Sequence, residues 1–263
     1  MKKTIKFEMK RSLQSLEFVI AVCIGMLIVM IDFILYAKRF AYEGSVVFQA
    51  WVGTDYQMPY GVMYGTLLPV LGALPFAGSY FLDLKSGYIK NICLKSSRKE
   101  YYVAKSISVF CSAALAVMIP YFVNLFLVMG LYPLRKPEKL LHNAIGVQYI
   151  NVLSDAYALN PVLYIVFYII LDGAFAGMLA IFSVCISEWL ESYFSVIVLP
   201  YIVVLLSGVI FPDAGKAGWS VYSMLLPGVP DAIPAVNYYI VLISGILIEI
   251  IWINHKGKGK NIL

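Results

Sequence analysis

An all-α membrane protein with six transmembrane helices is the fold class this sequence predicts, and three observations carry that prediction. The 263-residue chain is 61% hydrophobic and only 13% charged, where a soluble domain carries about 25% charged residues; its mean hydropathy is +0.83. Six runs are apolar over the roughly 20 helical residues needed to cross about 30 Å of hydrocarbon. The period-2 alternation of an outer-membrane barrel is absent, and helices are the only other way for such runs to satisfy their backbone in lipid.

The runs fall at about 18–36, 61–82, 105–130, 160–186, 193–211 and 236–253, within one domain covering 1–263. Ahead of the first lies a basic segment in which Ile5, Met9, Leu13 and Leu16 recur at helical spacing, with Lys2, Lys3, Lys6, Lys10 and Arg11 on other faces. This pattern predicts an amphipathic helix lying on an anionic leaflet, or a plain basic flank to the first span. No small-residue cleavage site follows, so the first span is expected to be retained. Before the last span, 212–235 carries four prolines yet is apolar in its middle. A re-entrant segment covered by protein accounts for that better than a solvated loop.

Lysine and arginine set the expected orientation. With the N-terminus inside, the inner segments hold Lys2, Lys3, Lys6, Lys10, Arg11, Lys85, Lys90, Lys95, Arg98, Lys99, Lys105, Lys256, Lys258 and Lys260. The outer ones hold only Lys38, Arg39, Arg135, Lys136, Lys139 and Lys216. The bias predicts both termini in the cytoplasm of a multi-pass plasma-membrane protein. The first outer segment, 37–60, is polar and aromatic (Trp51, Tyr56, Tyr60), as an interface anchor would be. The tail after His255 is short and basic.

The inner loop Asp83–Lys105 concentrates the cations. Ile89, Ile92 and Cys93 at i, i+3, i+4 suggest a short amphipathic helix there, with Lys90, Lys95, Arg98 and Lys99 mostly off its apolar face. From the residues alone the loop reads equally as a solvated positive-inside turn. Within the spans, Asp172 and Glu249 are costly to place in lipid. Asp172 could face a substrate pathway, or be a packed, hydrogen-bonded or protonated carboxyl. Gly173-x-x-x-Gly177, and Gly61-x-x-x-Gly65 in the second span, are spacings that let helices approach closely.

No catalytic constellation is found. The one candidate phosphate loop, around Asp213 and Lys216, has no Ser or Thr, and neither HExxH nor GxSxG occurs. Asp172-Gly173 lacks the downstream residues of a phosphatidyltransferase. The four cysteines, Cys23, Cys93, Cys111 and Cys185, form no CxxC and none lies in an outer segment. Neither a disulfide nor a metal is expected. The chain is therefore expected to be no enzyme, to hold no cofactor and to bind no nucleic acid.

Together, the six-span layout, the stretch Ser79-Tyr80-Phe81-Leu82-Asp83-Leu84-Lys85-Ser86-Gly87-Tyr88-Ile89-Lys90-Asn91 and the following Ser97-Arg98-Lys99-x-Tyr101-x-x-x-Lys105 resemble the transmembrane permease subunit of type-2 ABC exporters. The likeness is to Firmicute peptide-export and bacteriocin-immunity permeases, and the proline-rich segment before the last span resembles their re-entrant helices. Other members often carry Glu-Arg where this chain has Asp83-Leu84-Lys85. The resemblance implies a separate ABC ATPase subunit that binds ATP and Mg, and a second permease subunit, either a homodimer mate or a paralogue. It makes 83–101 a cytoplasmic coupling helix with Asp83, Lys85, Gly87, Lys90, Lys95, Arg98, Lys99, Tyr101 and Lys105 as its residues. Asp172, Gly173, Gly177 and Glu249 would lie in the pathway or in helix packing. The implied cargo is a peptide or amphipathic compound. The alternative is a membrane protein without a pump: a sensor, assembly or immunity factor.

Overall fold

A computed structural model describes residues 1–37, 47–53, 59–94, 96–134, 160–226 and 233–257, and among them every regular element is helical. In chain order these are α1 (Lys2–Leu13), α2 (Leu16–Asp32, continued by a π-turn Phe33–Ala37), α3 (Val47–Ala50), α4 (Pro59–Ala73), α5 (Gly78–Lys85) and α6 (Tyr88–Cys93). There follow α7 (Arg98–Met129), α8 (Pro161–Ile186), α9 (Tyr193–Asp213), α10 (Val221–Met224) and α11 (Ala235–Gly257). Six stretches are long and apolar enough to cross a membrane: Leu16–Leu35, Pro59–Lys85, Arg98–Met129, Val162–Trp189, Tyr193–Asp213 and Ala235–Gly257. They match the six expected runs to within a few residues, except that the third begins at Arg98 rather than near Lys105.

Local chemistry explains the breaks. Ser15 ends α1 and caps α2 by accepting from Phe18 N at 3.0 Å, while its hydroxyl donates to Pro75 O at 3.1 Å. Pro75 has no N–H to give, and the second span is interrupted there, between α4 and α5. The α1–α2 corner is thus pinned to the break in the second span. Gly87 sits at φ 71°, a left-handed conformation that glycine adopts without a Cβ clash, and turns α5 into α6. Ser97 caps α7, accepting from Glu100 N at 3.2 Å, which is why α7 starts amid charged residues.

The spans pack through small residues. A Cβ on Gly25 of α2 would lie 2.7 Å from the Pro120 ring of α7, and Cβ atoms on Gly173 and Gly177 of α8 would meet Met118 at 2.6 Å and Phe110 at 2.4 Å. The glycine pair noticed in the sequence therefore seats two large α7 side chains. Asn124 of α7 accepts from Val52 N at 3.1 Å and donates to Val29 O at 3.4 Å, joining α2 and the segment after α3 to the bundle. Trp51, in the aromatic segment that suits either interface anchoring or an amphipathic cargo, is fully buried with its ring 5.3 Å from that of Tyr121. The described stretch 47–53 therefore adds to the core; Tyr56 lies outside the described residues.

The chain before the last span folds back into the bundle. Tyr222 N donates to Ser207 Oγ of α9 at 3.2 Å, the Tyr222 hydroxyl lies 3.3 Å from Thr66 Oγ1, and Met224 and Leu225 are buried. A Cβ on Gly65 would meet Leu226 at 2.3 Å. The glycine of α4 leaves room for the returning chain, the protein cover that the apolar composition of this stretch calls for.

Both described ends of the chain arrive at the start of α7. The N-terminal ammonium is 3.2 Å from Glu100, and Gly257 lies against Lys99. This shared end, where α1 and α6 also lie, is called the terminal end below.

Candidate functional site: a buried ionic clasp at the terminal end

Five polar residues from three helices meet under the terminal end: Glu8 and Arg11 of α1, Asp83 of α5, and Tyr101 and Lys105 of α7. Asp83 is the hub. Arg11 grips it bidentately, Nη2 to Oδ1 at 2.8 Å and Nη1 to Oδ2 at 3.2 Å. Its Oδ2 also accepts from Lys105 Nζ at 2.6 Å and from the Tyr101 hydroxyl at 2.8 Å. Lys105 reaches Glu8 Oε2 at 3.3 Å. Glu8, Asp83 and Lys105 are at most 1% exposed.

Two cations face two anions, so the cluster is neutral and its members compensate one another's desolvation. Aromatic faces close it: the Lys105 ammonium lies 4.3 Å from the Phe76 ring centroid, and the Arg11 guanidinium 4.9 Å from that of Tyr88. Through Tyr88 the clasp reaches α6. Burial opposes the charge on Arg11, but the hydrogen bond and charge of Asp83, with Glu8, outweigh it and raise its pKa.

A second polar lock lies beside it. Glu188, in the turn after α8, pairs with Lys256 of α11 and accepts from the Tyr80 hydroxyl at 2.5 Å. The Trp252 ring packs edge-on to Tyr80 and Tyr102, at 5.6 and 5.4 Å between centroids. The ends of four spans are tied here.

The expected loop residues divide into two groups. Asp83, Tyr101 and Lys105 point inward and brace the hairpin. Lys85, Lys90 and Lys99 are exposed, Arg98 is half-buried, and Gly87 forms the turn. The α6 helix does form, with Ile89 buried, Ile92 partly buried, and Lys90, Asn91 and Leu94 outward. Lys95 and the Cys93 side chain lie outside the described residues, as do Lys258 and Lys260.

Asp172 lies elsewhere, in the half of the bundle away from the terminal end. It is fully buried, and neither carboxyl oxygen has a hydrogen-bond partner among the described residues. The phenols of Tyr64, Tyr121, Tyr168 and Tyr238 are within its electrostatic reach. Tyr64 spends its proton on Val117 O at 2.7 Å. Glu249 is 5% exposed and faces the bundle near Cys185. Among the described residues no group of three His, Cys, Asp or Glu converges on a common point, and Cys23, Cys111 and Cys185 are free thiols.

No family model matches the chain, and no curated protein or solved structure matches it. The fold and the clasp are therefore the ground on which a function rests.

Glu8 and the Glu188–Lys256 pair were not singled out from sequence. Glu8 is the only acid in an otherwise basic α1, and an acid kept within a lysine-rich helix was the available signal. Glu188, in an acidic loop, and Lys256, in the basic tail, were each visible on the same expected side, but nothing local pairs residues 68 apart.

Proposed function

We propose that this chain is the membrane-spanning permease subunit of an ATP-binding-cassette exporter, with both termini cytoplasmic in the plasma membrane. ATP binding and hydrolysis belong to a separate ATPase subunit, and two permease subunits, alike or paralogous, enclose the pathway. The cargo is a peptide or another amphipathic compound. The observation that carries this reading is the clasp. A short helix on an exposed hairpin transmits force only if it is joined to the spans; Asp83 of α5 ties α1 to α7, and Arg11, over the Tyr88 ring, carries that tie to α6. Motion imposed on α6 would then move α7 as a body, as in shear and hinge transitions of packed helices. The outward Lys90, Asn91 and Leu94 are the residues offered to the ATPase.

Co-expression with a candidate ABC ATPase tests the reading. Lys90→Glu combined with Leu94→Asp should abolish co-purification of the ATPase while membrane insertion and thermal stability are kept. Undiminished co-purification would refute docking through α6. An ATPase that never associates with the unmodified chain would favour a sensor or immunity protein.

A further inference from the structure

Beside the second lock, the terminal end holds an open pocket of about 390 Å³, within the range of ligand sites at about 300–1,000 Å³. It lies where four span ends meet: the last turn of α5, the first turns of α7, the turn after α8 and the last turn of α11. Its polar lining is unequal. Lys85, Arg98 and Lys256 supply three cations, and Glu188 is the one acid, already engaged by Lys256 and the Tyr80 hydroxyl. The rest of the wall joins apolar Phe81, Leu84 and Leu190 to Tyr102 and Ser187.

We propose that this pocket binds the phosphate headgroup of an anionic phospholipid, with Lys85 and Arg98 on the phosphate, a remaining N–H of the Glu188-paired Lys256 reaching it from α11, and the first carbons of the lipid against Phe81, Leu84 and Leu190. Basic pockets between span ends hold such headgroups through the same combination of charge and apolar contact. Two observations favour a lipid over a water-soluble phosphate or a carboxylate of a partner protein. The pocket lies at the level where the apolar helices end, which is where lipid phosphates lie. Its edge also continues into exposed apolar residues: Leu82 is 47% exposed, Leu84 38% and Trp189 75%. A soluble anion has no use for that edge, and a diacyl lipid does. The occupant would bridge α5, α7 and α11, adding a tie between helices already joined through Glu188. The site stands independently of any ATPase.

Native mass spectrometry of the purified full chain tests this, after incubation with dioleoyl phosphatidylglycerol, dioleoyl phosphatidylcholine or soluble glycerol phosphate. Phosphatidylglycerol should be retained, and neither of the others. Lys85→Gln with Arg98→Gln should weaken its retention about twentyfold, given the attraction of each cation for an anionic lipid surface. Leu84→Glu, which adds a carboxylate at the mouth without removing a cation, should weaken it too. Lys2→Gln with Lys6→Gln removes the same charge from α1 and should leave retention unchanged. Equal retention of phosphatidylcholine, retention of glycerol phosphate without lipid, or equal loss in the α1 variant would overturn the site. So would full retention in the pocket variants accompanied by loss of a bound protein partner, which would assign the pocket to a protein carboxylate.

Discussion

Asp83 accepts from three side chains at once, so its removal leaves the buried Lys105 with Glu8 alone and takes from the half-buried Arg11 its bidentate partner. Asp83→Asn should cost about 3–5 kcal/mol, the usual penalty for breaking a buried ion pair from one side, read as a lower unfolding temperature in detergent. Replacing Asp83, Lys105 and Glu8 together by Leu, Met and Gln should recover much of that loss, because the desolvation cost leaves with the charges. Failure to recover would mean that the cluster contributes more than its own compensation. Arg11 does not make the clasp alkali-sensitive. Its pKa is raised, so its contribution is fully present below the ordinary arginine value and lost only above it. Asp172 poses the opposite case: a buried carboxyl without a described hydrogen-bond partner is a liability of about 1–3 kcal/mol. Asp172→Leu should therefore raise the unfolding temperature if the residue is only packed. A fall would reveal a polar partner, and a loss of substrate-stimulated ATP hydrolysis without a fall would place the carboxyl in transport.

At the scale of elements, the beginning of α7 depends on one cap. Ser97→Ala should cost about 1 kcal/mol, seen as faster amide exchange at Glu100 and Tyr101 while the rest of α7 stays protected. Because Tyr101 and Lys105 sit on that same first stretch, fraying there should also loosen α1. The α7–α8 contact is tight in a different way. Gly177→Leu would drive a side chain into the Phe110 ring and should cost about 1–3 kcal/mol through overpacking, again read from thermal unfolding. These elements also mark how far the sequence could be read. The spans were legible because hydropathy is a local sum over some 20 residues. The true start of α7 was not, since Arg98, Lys99 and Lys105 read as solvated charges when taken one at a time. Lys105 is buried only because Glu8, 97 residues away, and Asp83 neutralise it. No local periodicity carries that information. The burial of Trp51 was not legible for the same reason: its partner Tyr121 comes from a distant span.

The whole molecule is organised by an asymmetry between its two ends. The terminal end gathers the ionic clasp, the second lock and the exposed Lys85, Lys90 and Lys99, while the other half holds tilted tyrosine pairs near Asp172. In the proposed topology, which rests on the lysine and arginine count, the basic end is the inner one. A Lys90→Cys variant in a background free of other cysteines should react with an impermeant maleimide only from the side that also exposes the C-terminus. Labelling from opposite sides would undo the topology. The order in which the clasp partners are made also has a consequence for biogenesis. Glu8 leaves the ribosome 97 residues before Lys105, a delay of roughly 5–20 s at ordinary elongation rates. Through that interval the nascent α1 must wait at the membrane surface with its acid still hydrated. The Arg11–Asp83 pair can therefore form once the second span is in place, but the clasp on the first helix is completed only when Lys105 arrives with the third.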